Sequence, residues 1–223
     1  MAHSTFCFGL LRRRQAVLPT WRGLALAMLL LGGTLVLVAR ALPHFLILRN
    51  PQPGGLLVVE GYAWDAMLAQ AKAEFEKGDY ELLLITGGPM EKGEALLEYK
   101  TTPHACAAIL QAMGMDGALL RPVVNARVAR DRTYASAVAL RDWLAAEGRK
   151  PGHITLMAEA LHSRRSVLLF QKALGEGVRV TSLPYENPEA DLTHWWRTSG
   201  GVRGVVGELL AWLYARVFFH PDL

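Results

Sequence analysis

Cysteine is scarce in this chain, and its two copies are poorly placed to work together. Cys7 and Cys106 are the only ones among 223 residues, and a long apolar run separates them. If that run crosses a bilayer, each thiol is alone in its compartment, which excludes an intrachain disulfide and a cysteine-based metal site. Neither a Gly-x-x-x-x-Gly-Lys-Ser/Thr loop nor a Gly-x-Gly-x-x-Gly turn occurs, so both common nucleotide fingerprints are missing. A nucleophilic serine has no Gly-x-Ser-x-Gly elbow to sit on. No spacing of His, Asp and Glu has the form of a metal signature, and no cofactor is expected. The net charge is only +4, and four arginines of the excess (Arg12, Arg13, Arg14 and Arg22) stand in the N-terminal tail. With no dense basic face interleaved with aromatics, nucleic acid is excluded as a partner.

Apolar residues, by contrast, are plentiful. They make up 52% of the chain against 20% charged, enough for a packed core. The length suits one α/β domain with an appendage. The appendage is "LALAMLLLGGTLVLVA", residues 24–39, which is uncharged and bracketed by Arg22 and Arg40. Alone it falls slightly short of a spanning helix. Continuation through "RALPHFLIL" to residue 48 supplies the length if Arg40 snorkels to the interface. The expected organisation is a basic cytoplasmic tail over 1–23, an anchor over 24–48, a linker "RNPQPGG" over 49–55 and an α/β domain over 56–223. The surplus of arginine before the run predicts a cytoplasmic N-terminus and an extracytoplasmic domain. "ARA" at 39–41 leaves a cleaved signal peptide open as the alternative.

From Gly55 onward two patterns alternate. "LLVVE", "ELLLIT", "ALLRPVV", "HITLM" and "VRVTSLP" have the form of strands buried on both faces. Between them lie helical periods: Trp64, Met67, Leu68, Ala71 and Phe75; Ala105, Ala108, Ile109, Ala112 and Met113; Tyr134, Ala137, Val138, Arg141 and Leu144; Val167, Phe170 and Leu174. The pattern predicts a doubly wound, mostly parallel five-stranded, Rossmann-like sheet, whose ligands bind at the carboxyl ends of its strands. A last helix, "GVRGVVGELLAWLYARVFF", is expected to cover the sheet, with its aromatic face against the bilayer as the alternative.

The loops at that carboxyl edge carry the candidate chemistry. Glu60 and Gly61 follow the first strand. Thr86, Gly87 and Gly88 follow the second, where glycine would let backbone amides approach an anion. Arg127, Arg130, Asp131, Arg132 and Thr133 precede a helix that Asp131 or Thr133 can cap. "AEALHSRRS", residues 158–166, then places His162, Arg164 and Arg165 at a helix start with Ser163 as its cap. A helix N-terminus favours acids, so three basic groups there pose an electrostatic conflict that an anionic ligand would resolve. His162 is the candidate general acid or base, with Glu60 or Asp131 as carboxylate partner. Glu91, Glu94 and Glu98 share one loop and could assist, or hold a metal with His104, but the expectation is a solvated face and no metal.

"VVEGY", "ITGGP", "LEYKT", "DRTYASA" and "LHSRRS", in this order and spacing, resemble the motifs of the YdcF/SanA/ElyC family, a bacterial group of α/β domains. The resemblance spans roughly residues 56–216. It implies ligand contacts at Gly61, Thr86, Gly87, Gly88, Glu98, Arg132, Thr133, Arg164 and Arg165. The family's Asn-Thr pair is Arg132-Thr133 here, its later Asn is Ser136, and its Gly-rich first loop is reduced to Glu60-Gly61. Thr133, His162 and Arg165 carry over directly. SanA- and ElyC-like members are single-pass inner-membrane proteins linked to envelope integrity and peptidoglycan precursors. YdcF itself is associated with S-adenosylmethionine but lacks this anchor, and an extracytoplasmic domain would not meet that cofactor. The resemblance thus implies a bacterial plasma-membrane protein that binds, and as a phosphoryl or pyrophosphoryl hydrolase or transferase processes, an anionic or lipid-linked precursor. The alternative is a non-catalytic module that binds an anion, a glycan or an assembly partner.

Overall fold

The computed structural model describes residues 5–6, 11–12, 19–61, 63, 65–90 and 97–221. The chain forms two units, 1–39 and 40–223. The first holds a two-residue antiparallel ladder, Thr5–Phe6 with Leu11–Arg12, and most of helix α1, Trp21–Leu46. Its 26 residues have a mean hydropathy of 2.1 over the most apolar window. At 1.5 Å per residue they extend about 39 Å, enough to cross a bilayer.

The second unit is the α/β domain expected. Strands β1 (Gly55–Glu60), β2 (Tyr80–Gly87), β3 (Leu120–Val124), β4 (His153–Glu159) and β5 (Arg179–Tyr185) form one sheet in the order β3-β2-β1-β4-β5. All four pairings are parallel. Helices α2 (Asp65–Lys77), α3 (Thr102–Ala112), α4 (Arg132–Ala146) and α5 (Ser163–Leu174) are the crossovers. Alternate side chains of one strand face opposite layers. Leu57, Val59, Leu83 and Ile85 pack with Leu68 and Leu110 of α2 and α3. Leu56, Val58, Leu82 and Leu84 pack with Leu140 and Phe170 of α4 and α5. This two-sided burial is why the strands read as continuous apolar runs. Both edge strands carry a proline, Pro122 in β3 and Pro184 in β5. A missing N–H is tolerated at an edge and discourages further strand pairing there.

Several local expectations are corrected. The buried face of α3 is Thr102, Pro103, Cys106, Ala107 and Leu110, so the expected stripe through Ala105 and Ala108 lies partly outward. The N-cap of α5 is His162, not Ser163. The Ser163 hydroxyl instead donates to the Ala160 carbonyl at 2.7 Å and accepts from Leu48 N at 2.9 Å. Asp131 is the N-cap of α4 but makes no side-chain cap bond, and its φ of 57° is left-handed. The final helix, α6 (Ser199–Val217), packs against α5 rather than directly over the strands.

The segment expected as a linker is tied down. Asn50 N donates to the Ser182 carbonyl, and Ser182 N returns the bond to Asn50 Oδ1 at 2.8 Å. The Thr155 hydroxyl donates to the Gln52 carbonyl at 2.7 Å. The last turn of α1 also belongs to this unit: Leu46 is 1% exposed, and Phe45 meets Trp212 of α6 edge-on at 4.9 Å.

Candidate functional site

The strand order reverses between β1 and β4, and the ends of these two neighbours open the crevice in which sheets of this kind bind ligands. A cavity of about 550 Å³ lies there. Glu60 enters it as the last residue of β1 and Glu159 as the last of β4, with His162 one turn further on. Thr133 and Arg165 come from the first turns of α4 and α5, and Tyr214 and Phe219 form an apolar wall.

His162 is the hub. Its Nδ1 lies 3.1 Å from Glu208 Oε1, while Nε2 lies 3.5 Å from Glu60 Oε2 and 3.3 Å from Thr133 Oγ1. Arg165 binds Glu208 two-pronged, Nε to Oε2 at 2.9 Å and Nη2 to Oε1 at 3.0 Å. Burial opposes a charge on His162. The Glu60 carboxylate and the hydrogen bond to Glu208 outweigh both burial and Arg165, so the imidazole titrates above its ordinary value. For Glu208, burial pushes the carboxyl up, but His162 and Arg165 bring it down to about 2. Glu159 is raised, chiefly by burial and further by Glu208 and Glu60 against the pull of His162. It therefore holds a proton more readily than an exposed glutamate.

Arg165 Nη2 also lies 2.7 Å from His162 Nδ1. Arginine can only donate, so that contact needs a lone pair on Nδ1, whereas Glu208 needs a proton there. One atom thus faces partners that select opposite states, an arrangement suited to a group that moves a proton. Thr133, His162 and Glu208 have the connectivity of nucleophile, base and orienting acid. Glu60, beside the same nitrogen as Thr133, favours a proton on Nε2. The resting imidazole is therefore set up as an acid, with the Thr133 hydroxyl as acceptor. Among the described residues Glu60 Oε1 is buried without a hydrogen-bond partner.

The structure brings together His162, Glu60, Gly61, Thr86, Asp131, Arg132, Thr133 and Arg165 around this cavity. Arg130 stands at the mouth, 93% exposed and 4.0 Å from Asp131. Gly88 lines a neighbouring cavity of about 480 Å³ with Asn125, Arg127 and Arg132. Gly87 lines neither. Glycine is required at two of these positions by packing: a Cβ on Gly61 would collide with the Thr86 carbonyl, and one on Gly87 with the Thr102 hydroxyl. Glu98 is exposed and away from both cavities. Glu91 and Glu94 lie outside the described residues, and among those described no group of three His, Cys, Asp or Glu is placed to hold a metal ion.

Arg164 turns away from the cavity. It donates to the Phe45 carbonyl and covers the Phe45 ring at 4.5 Å. The electrostatic conflict at the α5 start thus has two internal answers. Arg165 is neutralised by Glu208, and Arg164 sits at the C-terminal end of α1, where a helix favours cations. The amides of His162 and Ser163 already donate to the carbonyls of Glu159 and Ala160, so they are not an anion cradle.

Glu208 is the functional residue that the sequence reasoning missed. Its signal was there to be read, since it is the lone acid of a mostly apolar helix. Glu159 is the second residue of the 158–166 motif, yet no role was assigned to it from the sequence. Family models, curated proteins and solved structures were all compared with this chain, and none matches it.

Proposed function

We propose that this chain is a YdcF/SanA/ElyC-like domain anchored by α1 to the outer face of a bacterial plasma membrane, where it binds a phosphate-bearing envelope precursor and cleaves a P–O bond in it. The observation that carries this reading is the His162 imidazole held between Glu60 and Glu208 on a cavity wall at the strand crossover. Water attacks phosphorus, the bond to the leaving oxygen breaks, and His162 Nε2 delivers its proton to that oxygen. The proton lost by the water returns the imidazole to its charged form. Arg130 and Arg132, ahead of α4, hold the charge on the phosphoryl oxygens. The raised pKa of Glu159 lessens the negative charge an anion would meet.

A second reading, capture without turnover of an anionic glycan, lipid headgroup or assembly partner, is favoured by the pairing of Arg165 with Glu208. That pairing withdraws Arg165 from the phosphoryl charge that turnover would have to stabilise. The full chain in nanodiscs, given farnesyl pyrophosphate, separates the two. Turnover predicts phosphate release that falls by about 10²–10⁴-fold in His162→Gln with binding retained. Binding without release supports the second reading, and absence of both rejects the pair.

A further inference from the structure

Among the described residues, nothing covers the outer face of α6. Val202, Val206, Leu210, Leu213 and Val217 recur at spacings of three and four, and at 100° per residue they form one ridge. All five are exposed, Leu210 to 61%. On the opposite side of the helix Ala215 is buried and Glu208 faces the cavity cluster. The helix thus carries apolar residues on its outer side as well as its covered one, and a contiguous apolar ridge on a surface marks a contact.

Two observations say what covers it. The first is continuity with α1. Phe45, six residues past Ala39 at the end of the apolar run, packs on Trp212 of α6 itself. The chain enters the α/β unit at Arg40, five residues ahead of Phe45 and so about 8 Å along the helix, which puts that entry point close to α6. The second is charge. Arg203 and Arg216 are exposed and flank the ridge, one to each side, while Glu208, the helix's lone acid, is committed inward to His162 and Arg165. An apolar ridge bordered by arginines matches a surface of anionic lipid.

We propose that α6 is a second membrane contact, lying along the lipid surface with its Val202–Val217 ridge in the interface. Tyr214 and Phe219, which wall the cavity, then stand beside the headgroups, so a lipid-linked substrate reaches His162 from the membrane side. This inference rests on α1 being a bilayer anchor. It does not depend on what the cavity binds or whether it turns over.

The test uses the full chain with Cys7→Ser and Cys106→Ala, reconstituted in vesicles of phosphatidylethanolamine and phosphatidylglycerol. Single cysteines at Leu210→Cys and Val217→Cys carry an environment-sensitive fluorophore. Leu30→Cys in α1 and Ala69→Cys, exposed on α2 across the sheet, are the references. The expected result is that Leu210 and Val217 labels are quenched by brominated lipid several-fold more than the Ala69 label, and are shielded from iodide. A Leu30 label untouched by brominated lipid would refute the anchor itself. With Leu30 quenched, iodide access at Leu210 would overturn the α6 contact and leave the anchor standing. Protection of Leu210 from both quenchers would overturn it too, assigning the ridge to a second copy or another protein.

Discussion

Replacing Glu208 by Gln preserves side-chain shape and one acceptor for Arg165 while removing the charge that His162 and Arg165 share. The carboxyl is lowered from 4.5 to about 2, and its side chain is 22% exposed, so solvent screens it little. A displacement of this size favours the ionised form by about 3 kcal/mol, an upper bound on what the substitution removes at neutral pH. For a domain of this length that is a fall of roughly 6–12 °C in Tm. The pH dependence has a definite sign. A lowered carboxylate contributes fully above its unfolded value and loses the contribution as pH falls towards 2, so the acid limb of the wild-type stability curve flattens in Glu208→Gln. His162, raised in the fold, contributes below its ordinary value of ~6.5 and loses this as pH rises through its folded value. Without Glu208, Arg165 faces Nδ1 unopposed and the imidazole titrates lower. Thermal melts of the full chain in detergent across a pH series, with NMR titration of the His162 ring, measure both effects. A variant that melts within a degree of wild type and titrates at an unchanged His162 value would refute the arrangement.

Gly61→Ala is expected to destabilise the fold, because its Cβ meets the Thr86 carbonyl at the β1–β2 junction. Gly207→Ala, whose Cβ meets nothing within 4 Å, should raise stability by up to ~1 kcal/mol through helix propensity, and paired melts check both. A fragment beginning at Pro51 loses the buried Leu46 and the Leu48–Ser163 bond. Burial of a leucine contributes ~1.5–3 kcal/mol and the hydrogen bond ~1 kcal/mol. That fragment should therefore melt lower than one beginning at Arg40. Arg164→Ala should lower the melting temperature of the Arg40 fragment while leaving the His162 titration unchanged, since Arg164 holds Phe45 and not the cavity.

The sheet was legible because strands buried on two faces can only be apolar runs, and those runs are unmistakable between Gly-bounded helices. Much of the cavity followed from strand order, which places Glu60, Thr133 and His162 at one edge without any side-chain knowledge. What remained hidden was pairing across long sequence separations. Arg165 and Glu208 are 43 residues apart, and no local pattern says that a charge at one helix start has its partner in the terminal helix. Arg164 and Arg165 are adjacent and chemically alike, yet helical geometry aims them about 100° apart, one at the end of α1 and one at an acid. The glycines misled for a related reason, since a residue that lets an anion approach is also one that lets a neighbouring carbonyl or hydroxyl approach. Packing claimed Gly61 and Gly87.

The first turn of α5 grips two things at once. Ser163 and Arg164 hold the chain as it leaves α1, while His162 and Arg165 hold the cavity cluster. Residues 49–55, pinned to the sheet, supply no slack between them. A domain on a loose tether samples a hemisphere above its membrane and can reach partners at many heights. Here the cavity keeps a constant elevation above the point where α1 ends. On the function proposed above, with α1 in a bilayer, encounter would become a search in two dimensions: a lipid-linked ligand would have to arrive by lateral drift and present its phosphate at one depth. Selectivity would then be set partly by the distance between a lipid's glycerol or prenyl tail and its phosphate, before any side chain makes contact.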